Sequence, residues 1–460
     1  MTLHRLWPLG LLALALASTG CDTGRKNPPN ATVRVLNVAP SFGALTYRRE
    51  QVVLTNPPVP LLYQGSASGS SAGSIELSYD EDTYSFTASA RDPATLADVD
   101  RDSFTKKIVT GTLYTFVFLE TGGNITHTIL ESPRVPSDAA KAQVQATHAD
   151  EGLPSVDLYL EVIGTGIAGA TPWGTIGFKE SLASREVPPG VYELTITEAG
   201  NPANVLLKTQ AFTLDAPLSS TLVLSPDAGE GIAPFDVVLL SPGGAITLVD
   251  PSLPAMVRAL NGALDQVPRD VAFNGQFSPP LFSAAAFAAP TAYQPLAAAA
   301  SVPVNVTPVG NPGVLELTGA VDLIPSRVYT AFFTGEAGTL GLTFQQDDRR
   351  RLADAAKITF YGAHTLQSPE ILVLAPGTDP NTAAGQQQPS VVTPGTISAI
   401  AIAPGTYEIW LRVFNADFTA VTIVGGPVTV TVAARKLYGV VTSDNANGTT
   451  IDMTLIDDFL

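Results

Sequence analysis

Three aspartates at alternate positions form the arrangement in this 460-residue chain that comes closest to a cation site. They are Asp98, Asp100 and Asp102. Their spacing resembles the start of a calcium loop, in which several carboxylates converge on one ion. An EF-hand also needs glycine at its sixth position and glutamate at its twelfth, where this chain has Ser103 and Val109. We therefore weigh a weaker calcium site, with residues 80–82 as further ligands, against a solvated acidic loop.

Two glycine-rich stretches match active-site patterns by letter. Ser71 lies in G-x-S-x-G, the pattern of a hydrolase nucleophile, and Gly164–Gly169 reads G-x-G-x-x-G, the pattern of a dinucleotide loop. Both patterns require a strand before them and a helix after them. The residues that follow predict no helix, so we interpret both stretches as loops and expect no cofactor. A secreted hydrolase with Ser71 as its nucleophile stays open as an alternative.

The histidines show no spacing typical of a zinc site. His4 lies near the N-terminus, and His127, His148 and His364 are far apart. His148 recurs as Asn37 and Asn261 in equivalent stretches, and a side chain that can be His or Asn suits a hydrogen bond to a backbone turn. We expect His148 to serve the fold.

Two tyrosines that follow Pro-Gly pairs could stack on carbohydrate. Tyr192 lies in PPGVYELTI and Tyr407 in APGTYEIWL. A single aromatic residue at a fixed strand position is more typical of a tyrosine corner, in which the hydroxyl closes a loop of a β-sandwich. We favour this structural interpretation.

The elements that carry these residues recur four times along the chain. The stretch 142–160 predicts two short strands, Val144–Thr147 and Val156–Leu160, and the remaining chain contains similar units at steps of roughly 110 residues. Three landmarks recur in step: an opening strand at Val33, Val144, Val257 and Ile358, a tyrosine at Tyr84, Tyr192 and Tyr407, and a late strand at Tyr114, Leu222, Tyr329 and Tyr438. Asp157, Asp270 and Glu370 also fall at matching places.

This pattern resembles the bacterial envelope repeats known as domain of unknown function 4397. The second repeat carries the pattern best, with His148, Pro154, Val156–Tyr159 and Pro189–Tyr192. Repeat four has Gly362 where His148 would align. The resemblance implies immunoglobulin-like β-sandwich modules and implies no activity.

The N-terminus predicts export. Residues 1–20 have a short basic start and an apolar run too short to span a bilayer, which is typical of a signal peptide. Cys21, the only cysteine, ends a stretch that resembles a lipobox, and we expect it to be lipidated; cleavage before Ser18 is the alternative. Residues 21–30 would then form a tether.

The remaining chain predicts four tandem β-sandwiches. Period-two hydrophobic alternation and 76 glycines and prolines (39 and 37) favour an all-β fold. We place the domains at 31–136, 140–247, 255–346 and 353–460, and read the Ala-rich segment 283–300 as strand and loop. The charged joint Asp347–Arg351 is the expected site of proteolytic cleavage.

These observations predict a class of function. We expect a non-enzymatic lipoprotein, anchored in the outer membrane or at the cell surface, that acts as a structural, adhesive or ligand-binding scaffold. A surface glycan or protein would be its ligand. The net charge of −17 argues against nucleic acid as a partner. The alternatives are the secreted hydrolase and a calcium-stiffened surface repeat protein.

Overall fold

The computed structural model describes residues 30–50, 60–64, 77–227, 231–366, 368–381, 390–415 and 420–456. These residues form strands and turns and no helix, so the prediction of an all-β fold is confirmed. Accordingly, this part of the chain contains no helix of membrane-spanning length and hydropathy. Eight sheets enclose four hydrophobic cores, and we call the four sandwiches modules 1 to 4.

Modules 1 and 2 are formed by β1 to β18. The sheets of module 1 have the orders β4-β1-β7-β8 and β3-β2-β5-β6, from β1 (Ala31–Asn37), β2 (Leu45–Glu50), β3 (Pro60–Leu61), β4 (Leu77–Tyr79), β5 (Asp82–Arg91), β6 (Asp98–Ile108), β7 (Thr112–Thr121) and β8 (Asn124–Pro133). Module 2 has the orders β12-β9-β16-β17-β18 and β11-β10-β13-β14, with β15 also on β13, from β9 (Ala142–His148), β10 (Val156–Val162), β11 (Gly174–Ile176), β12 (Ser181–Val187), β13 (Gly190–Glu198), β14 (Asn201–Lys208), β15 (Phe212–Leu214), β16 (Ser219–Pro226), β17 (Phe235–Ser241) and β18 (Gly244–Leu248).

Modules 3 and 4 are formed by β19 to β34. Module 3 has the orders β22-β19-β25-β26 and β21-β20-β23-β24, from β19 (Ala255–Ala263), β20 (Arg269–Phe273), β21 (Phe282–Ala285), β22 (Gln294–Leu296), β23 (Val302–Pro308), β24 (Leu317–Val321), β25 (Val328–Gly335) and β26 (Gly341–Gln346). Module 4 has the orders β30-β27-β33-β34 and β29-β28-β31-β32, from β27 (Ala356–Ala363), β28 (Glu370–Leu374), β29 (Ser390–Val391), β30 (Ile397–Ile402), β31 (Gly405–Phe414), β32 (Val421–Val432), β33 (Leu437–Asp444) and β34 (Ile451–Ile456).

The opening strand of every module pairs in parallel with a strand late in the same module. These pairs are β1 with β7, β9 with β16, β19 with β25 and β27 with β33. Both faces of β1 are buried, since Val33 and Val35 pack in the core of module 1 while Leu36 packs against module 2. The outer face also carries Thr32 and Arg34, which are polar and buried, so burial on both faces does not make this strand continuously apolar.

The strand register corrects one landmark of the repeat. Val33, Val257 and Ile358 lie opposite Tyr114, Tyr329 and Tyr438, whereas Val144 lies opposite Ser220. Ser220 rather than Leu222 is therefore the equivalent of the tyrosine in module 2. The shift is two residues, which preserves the face of the strand and left the hydrophobic pattern unchanged.

Modules 1 and 2 pack through outer sheet faces, as do modules 3 and 4. The first contact buries a cluster that includes Leu36 and Val117 of module 1 and Val223 and Leu240 of module 2. The second buries Leu260, Phe332, Tyr361 and Val441, among others. Phe332 and Tyr361 meet edge to face, with ring centroids 5.6 Å apart. Each pair of modules therefore shares a buried apolar cluster, in addition to its two cores.

Polar contacts join the two pairs. Arg327 Nη1 of module 3 lies 3.6 Å from Asp236 Oδ2 of module 2. Arg101 Nη2 of module 1 donates to Asp354 Oδ2, and Ala353 N donates to Ser41 O at 2.7 Å. The segment before module 4 thus contacts module 1, and each module contacts two others.

Candidate functional sites

The two residues on which a covalent function would depend lie outside the described residues. These are Cys21, the expected lipidation site, and Ser71, the alternative nucleophile. The signal peptide and residues 21–29 of the tether precede the first described residue, Asn30. Predictions about these positions stay predictions.

The three aspartates of the calcium hypothesis lie on β6, in a strand and not in a loop. Asp100 accepts hydrogen bonds from Arg48 and from Ser89 Oγ, and Asp102 Oδ2 lies 2.6 Å from His127 Nδ1. The antiparallel register places Asp98 opposite Arg91 and Ile108 opposite Asp82. Residues 80–82 are therefore at the other end of the strand pair, about 30 Å from Asp98 at roughly 3.3 Å per residue. Within the described ranges no group of three or more acidic, His or Cys side chains is placed to hold a metal ion.

The G-x-G-x-x-G stretch lies in the connection between β10 and β11. Gly164, Gly166 and Gly169 have φ values of 80°, 65° and 74°, in the left-handed region that glycine adopts without strain. Strands lie on both sides, so its interpretation as a loop between strands is confirmed. A phosphate-binding helix N-terminus does not follow it.

His148 and the asparagines at its position each accept a hydrogen bond from the backbone N–H two residues further along the chain, and each also contacts a backbone carbonyl. Asn37 Oδ1 accepts from Ala39 N and Asn37 Nδ2 donates to Leu61 O. Asn261 repeats both contacts, with Ala263 N and Ala285 O. His148 Nδ1 accepts from Asp150 N at 3.3 Å, and its Nε2 lies 3.3 Å from Pro154 O. Burial lowers the pKa of His148 and keeps the imidazole neutral.

In module 4 the equivalent position is Gly362, where the backbone makes the local contacts without a side chain. A Cβ atom on Gly362 would lie 2.2 Å from Thr393 O, because the backbone fills the space that His or Asn takes elsewhere. Gly395 N donates to Gly362 O at 2.7 Å. The residue at this position therefore has a structural role in every module.

Two sets of tyrosines close loops in the modules. The hydroxyls of Tyr84, Tyr192 and Tyr407 donate to the carbonyls of Asp80, Pro188 and Ala403, at 3.2, 2.7 and 3.0 Å. A second set accepts instead: Tyr114, Tyr329 and Tyr438 receive hydrogen bonds from the backbone N–H groups of Val109, Ile324 and Ala433. The tyrosine-corner interpretation of Tyr192 and Tyr407 is thus confirmed in geometry. The recurrence of the second set is visible in the sequence as the late-strand landmark, but its role in closing loops is seen only in the structure.

The repeated acidic residues also bond within their own module. Asp157 Oδ2 accepts from Gly200 N and Asp270 Oδ2 from Gly310 N, both at 2.8 Å, in the turn that follows the neighbouring strand. Glu370 replaces this contact with an ion pair to Arg412 Nε, at 2.7 Å. These carboxylates fix hairpins.

A buried polar cluster between modules 3 and 4 escaped the sequence analysis. Asp347 accepts from Thr330 Oγ1 and, at 2.6 Å, from Tyr293 OH, and lies 3.8 Å from Arg258 Nε. Arg258 also donates to Thr330 Oγ1 and to Tyr361 OH. Burial raises the pKa of Asp347, and the charge of Arg258 opposes this shift. The charged residues of this joint are visible in the sequence, but their partners Arg258 and Tyr293 lie more than fifty residues away along the chain.

The contacts of the segment Asp347–Arg351 argue against easy cleavage there. Asp347 is held as described, Asp348 binds Arg350 and Lys357, and Arg351 Nη1 donates to Arg435 O. Proteases need an extended, accessible backbone, and a linker fixed by ion pairs on both sides does not offer one.

Two cavities lie at the module boundaries. One of about 260 Å³ lies between module 1 and the start of module 4, beside residues that include Arg91, Leu96, Leu352 and Asp354. Another of about 410 Å³ lies at the joint of modules 2 and 3, beside Leu253 and Leu296. The first is lined by the charged side chains of Arg91 and Asp354 as well as by apolar residues, and the second is lined by Pro, Leu and Ala residues together with Ser252.

Comparisons with known proteins add no relative. Neither a family model nor a curated protein matches the chain. Among solved structures, the Bacillus anthracis TIE protein aligns with 87% of this chain and 67% of its own, at 8% identity and a TM-score of 0.16. A similarity at that score carries no argument, and the resemblance to the envelope repeats stays a prediction.

Proposed function

We propose that this chain is a non-enzymatic lipoprotein of the cell envelope, with immunoglobulin-like modules and a lipid on Cys21. It would act outside the cytoplasm as a scaffold that binds a surface glycan or protein, in the outer membrane or at the cell surface. The observation that carries the proposal is that the repeated polar side chains form hydrogen bonds and ion pairs within the fold. Wherever they occur, the repeated tyrosines, His or Asn residues and acidic residues bond to their own module's backbone or side chains.

The contacts between modules refine the proposal. A chain of independent modules would act as an extended spacer, whose reach grows with each module. Here the outer faces of modules 1 and 2 are buried together, and Ala353 N, before module 4, bonds to Ser41 O of module 1. A body of this kind favours a rigid binding platform near the membrane over a long spacer.

Intact mass of the protein recovered from cells tests the anchor. We expect a mature chain that begins at Cys21 and carries the additional mass of acyl chains, and a Cys21→Ser variant that loses both the added mass and the membrane fraction. A mature chain that begins at Ser18 with an unmodified thiol would refute the lipoprotein proposal.

A binding screen tests the scaffold role. The soluble Cys21→Ser chain would be applied to a glycan array, to extracellular-matrix proteins and to whole cells. We expect saturable binding to one surface class; no binding to any of them would contradict the ligand-binding function and favour a structural role. Labelling by a fluorophosphonate probe that Ser71→Ala abolishes would instead support the hydrolase.

A further inference from the structure

One end of modules 1 and 2 carries apolar side chains that the fold leaves in solvent. We call it the tether end, because Asn30, the first described residue, lies there. Six exposed large hydrophobic residues, 40–52% accessible, belong to it: Val109, Val135, Val162, Ile163, Val191 and Leu218. Exposed single apolar residues are normal, but several at one end of an acidic protein call for a partner.

The strand directions of module 1 place two of these residues beside Asn30. β1 and β7 run parallel with Thr32 opposite Leu113, so the turn that holds Val109 precedes β7 next to the start of β1. β8 returns to the same end, where Arg134 N donates to Gly111 O and Arg134 Nη1 donates to Asn30 O, at 2.9 and 3.3 Å. Val135 follows directly.

Module 2 presents its corresponding end in the same direction. β10 ends at Val162 opposite Tyr192, and Ile163 N donates to Val191 O at 3.1 Å. Leu218 precedes β16, and its carbonyl accepts from Gln143 N at 2.9 Å.

Hydrogen bonds join the ends of the two modules. Gln143 Nε2 donates to Pro133 O at 3.0 Å, and Ser219 Oγ donates to Arg134 O at 3.2 Å. Pro133 ends β8 and Ser219 begins β16, so the last strand of module 1 and the opening strands of module 2 meet at the tether end.

The longest connection at this end is residues 163–173, which contains no charged residue. Its turns are formed within the loop: Thr165 N donates to Val162 O, and Ala170 N donates to Ile167 O. Trp173 N anchors the far side on Leu158 O at 2.6 Å. These backbone N–H groups are already bonded within the loop, which lowers the cost of moving the loop out of water.

We propose that the tether end is a membrane-contacting surface, which inserts Val162, Ile163 and Val191 into the interface of a zwitterionic bilayer beside the lipid of Cys21. The inference rests on the proposed function, because the anchor supplies the proximity. Residues 22–29 span at most roughly 3.5 Å each, or about 30 Å, so an anchored chain holds this end near the lipid. A lipid anchor and an interfacial apolar surface act additively on the same bilayer.

Charge decides which bilayer this surface fits. Glu81 and Asp215 lie at the same end, together with the basic residues Lys107, Arg134 and Lys141. The negative potential therefore comes from the chain as a whole, whose net charge is −17. Anionic headgroups would repel it, so a zwitterionic surface is the fitting partner.

The test places an environment-sensitive fluorophore at the loop. In a Cys21→Ser background, Ile163→Cys provides the only thiol of the chain, and Val314→Cys provides a matched control at an exposed valine between β23 and β24 of module 3. Residues 1–20 are replaced by a hexahistidine tag, and the protein is held on phosphatidylcholine vesicles with nickel-chelating lipid. Anchoring is then independent of natural lipidation.

We expect the fluorophore at position 163 to shift to the blue and to be quenched by brominated lipid, and the one at position 314 to do neither. Val162→Ser with Val191→Ser should lower the inserted fraction about tenfold, and Val309→Ser with Leu315→Ser should leave it unchanged. Phosphatidylglycerol in the vesicles should weaken the signal. An unshifted spectrum at position 163 on anchored protein, or equal shifts at both positions, would overturn the inference. An unmodified Cys21 in cells would refute the lipoprotein proposal alone.

Discussion

The hydroxyl oxygens of Thr115 and Thr221 lie 3.4 Å apart in the contact between modules 1 and 2. The two residues are equivalent, since Thr115 lies opposite Arg34 on β1 and Thr221 lies opposite Gln145 on β9. A contact between equivalent residues is the sign of an isologous interface, in which two similar units are related by an approximate two-fold axis. Modules 1 and 2 therefore associate as a dimer within one chain.

Leu36→Ala should weaken this internal dimer. Leu36 is fully buried between the modules, and its truncation leaves a cavity, so we expect a loss of about 2–5 kcal/mol in the free energy of unfolding. Urea titration of the mature chain measures it. Ile246 is an exposed residue on β18, in the sheet of module 2 that contacts module 1. Ile246→Ala should change the free energy of unfolding by less than about 0.5 kcal/mol. Equal effects of the two variants would argue against the contact.

Asp347→Ala should open the joint between modules 3 and 4. It leaves Arg258 buried beside an empty partner position, and breaking a buried ion pair typically costs about 3–5 kcal/mol. Limited trypsin digestion should then cleave after the arginines at 349–351, where the unaltered chain resists. Glu336→Gln, at a turn away from the cluster, serves as the control. Rapid cleavage of the unaltered chain would refute the packed linker.

Tyr192→Phe and Tyr407→Phe should each lower stability by about 1 kcal/mol, because each removes one hydrogen bond to a carbonyl. Thermal melts of the single variants measure the change. Glycan binding, if the chain has it, should persist in both variants. Lost binding at unchanged stability would restore the carbohydrate-stacking interpretation.

His148→Asn should reduce the dependence of stability on pH. Burial lowers the folded pKa of His148 and of His364 below the unfolded value of about 6.5, so the unfolded chain takes up more protons in mild acid. Their contribution to stability is complete above pH 6.5 and decreases as the pH falls toward the folded pKa. Melts at pH 7.5 and pH 5 should therefore differ less for His148→Asn than for the unaltered chain, and His148→Ala should be destabilised at both. An unchanged pH profile would contradict a neutral, buried His148.

Calcium should leave the melting midpoint unchanged. Arg48 and His127 already bind Asp100 and Asp102, and a cation would have to displace them. Melts with calcium and with chelator decide the matter. A midpoint that rises with calcium, and no longer rises in Asp98→Asn, would support the calcium-stiffened alternative.

The recurring residues show how far sequence reasoning reached. The position shared by His148, Asn37 and Asn261 was interpretable because its residue types share one chemistry, a donor and an acceptor at short range. Ser220 was misaligned because a strand pattern with a period of two is unchanged by a shift of two residues. The spacing of Asp98, Asp100 and Asp102 did not distinguish a calcium loop from a strand, because alternate acidic residues also suit the exposed face of an edge strand such as β6.

Local pattern determined the all-β fold, the fourfold repeat and the structural use of Tyr192 and His148, because strand alternation and loop closure act over a few residues. Tertiary structure alone decided that Thr115 meets Thr221, that Arg258 meets Asp347 and that the loop of Ile163 shares an end with Asn30. These contacts join residues from different repeats, or distant parts of one. Which faces they bring together depends on the shape and burial of whole sheets, and no short stretch of sequence encodes that.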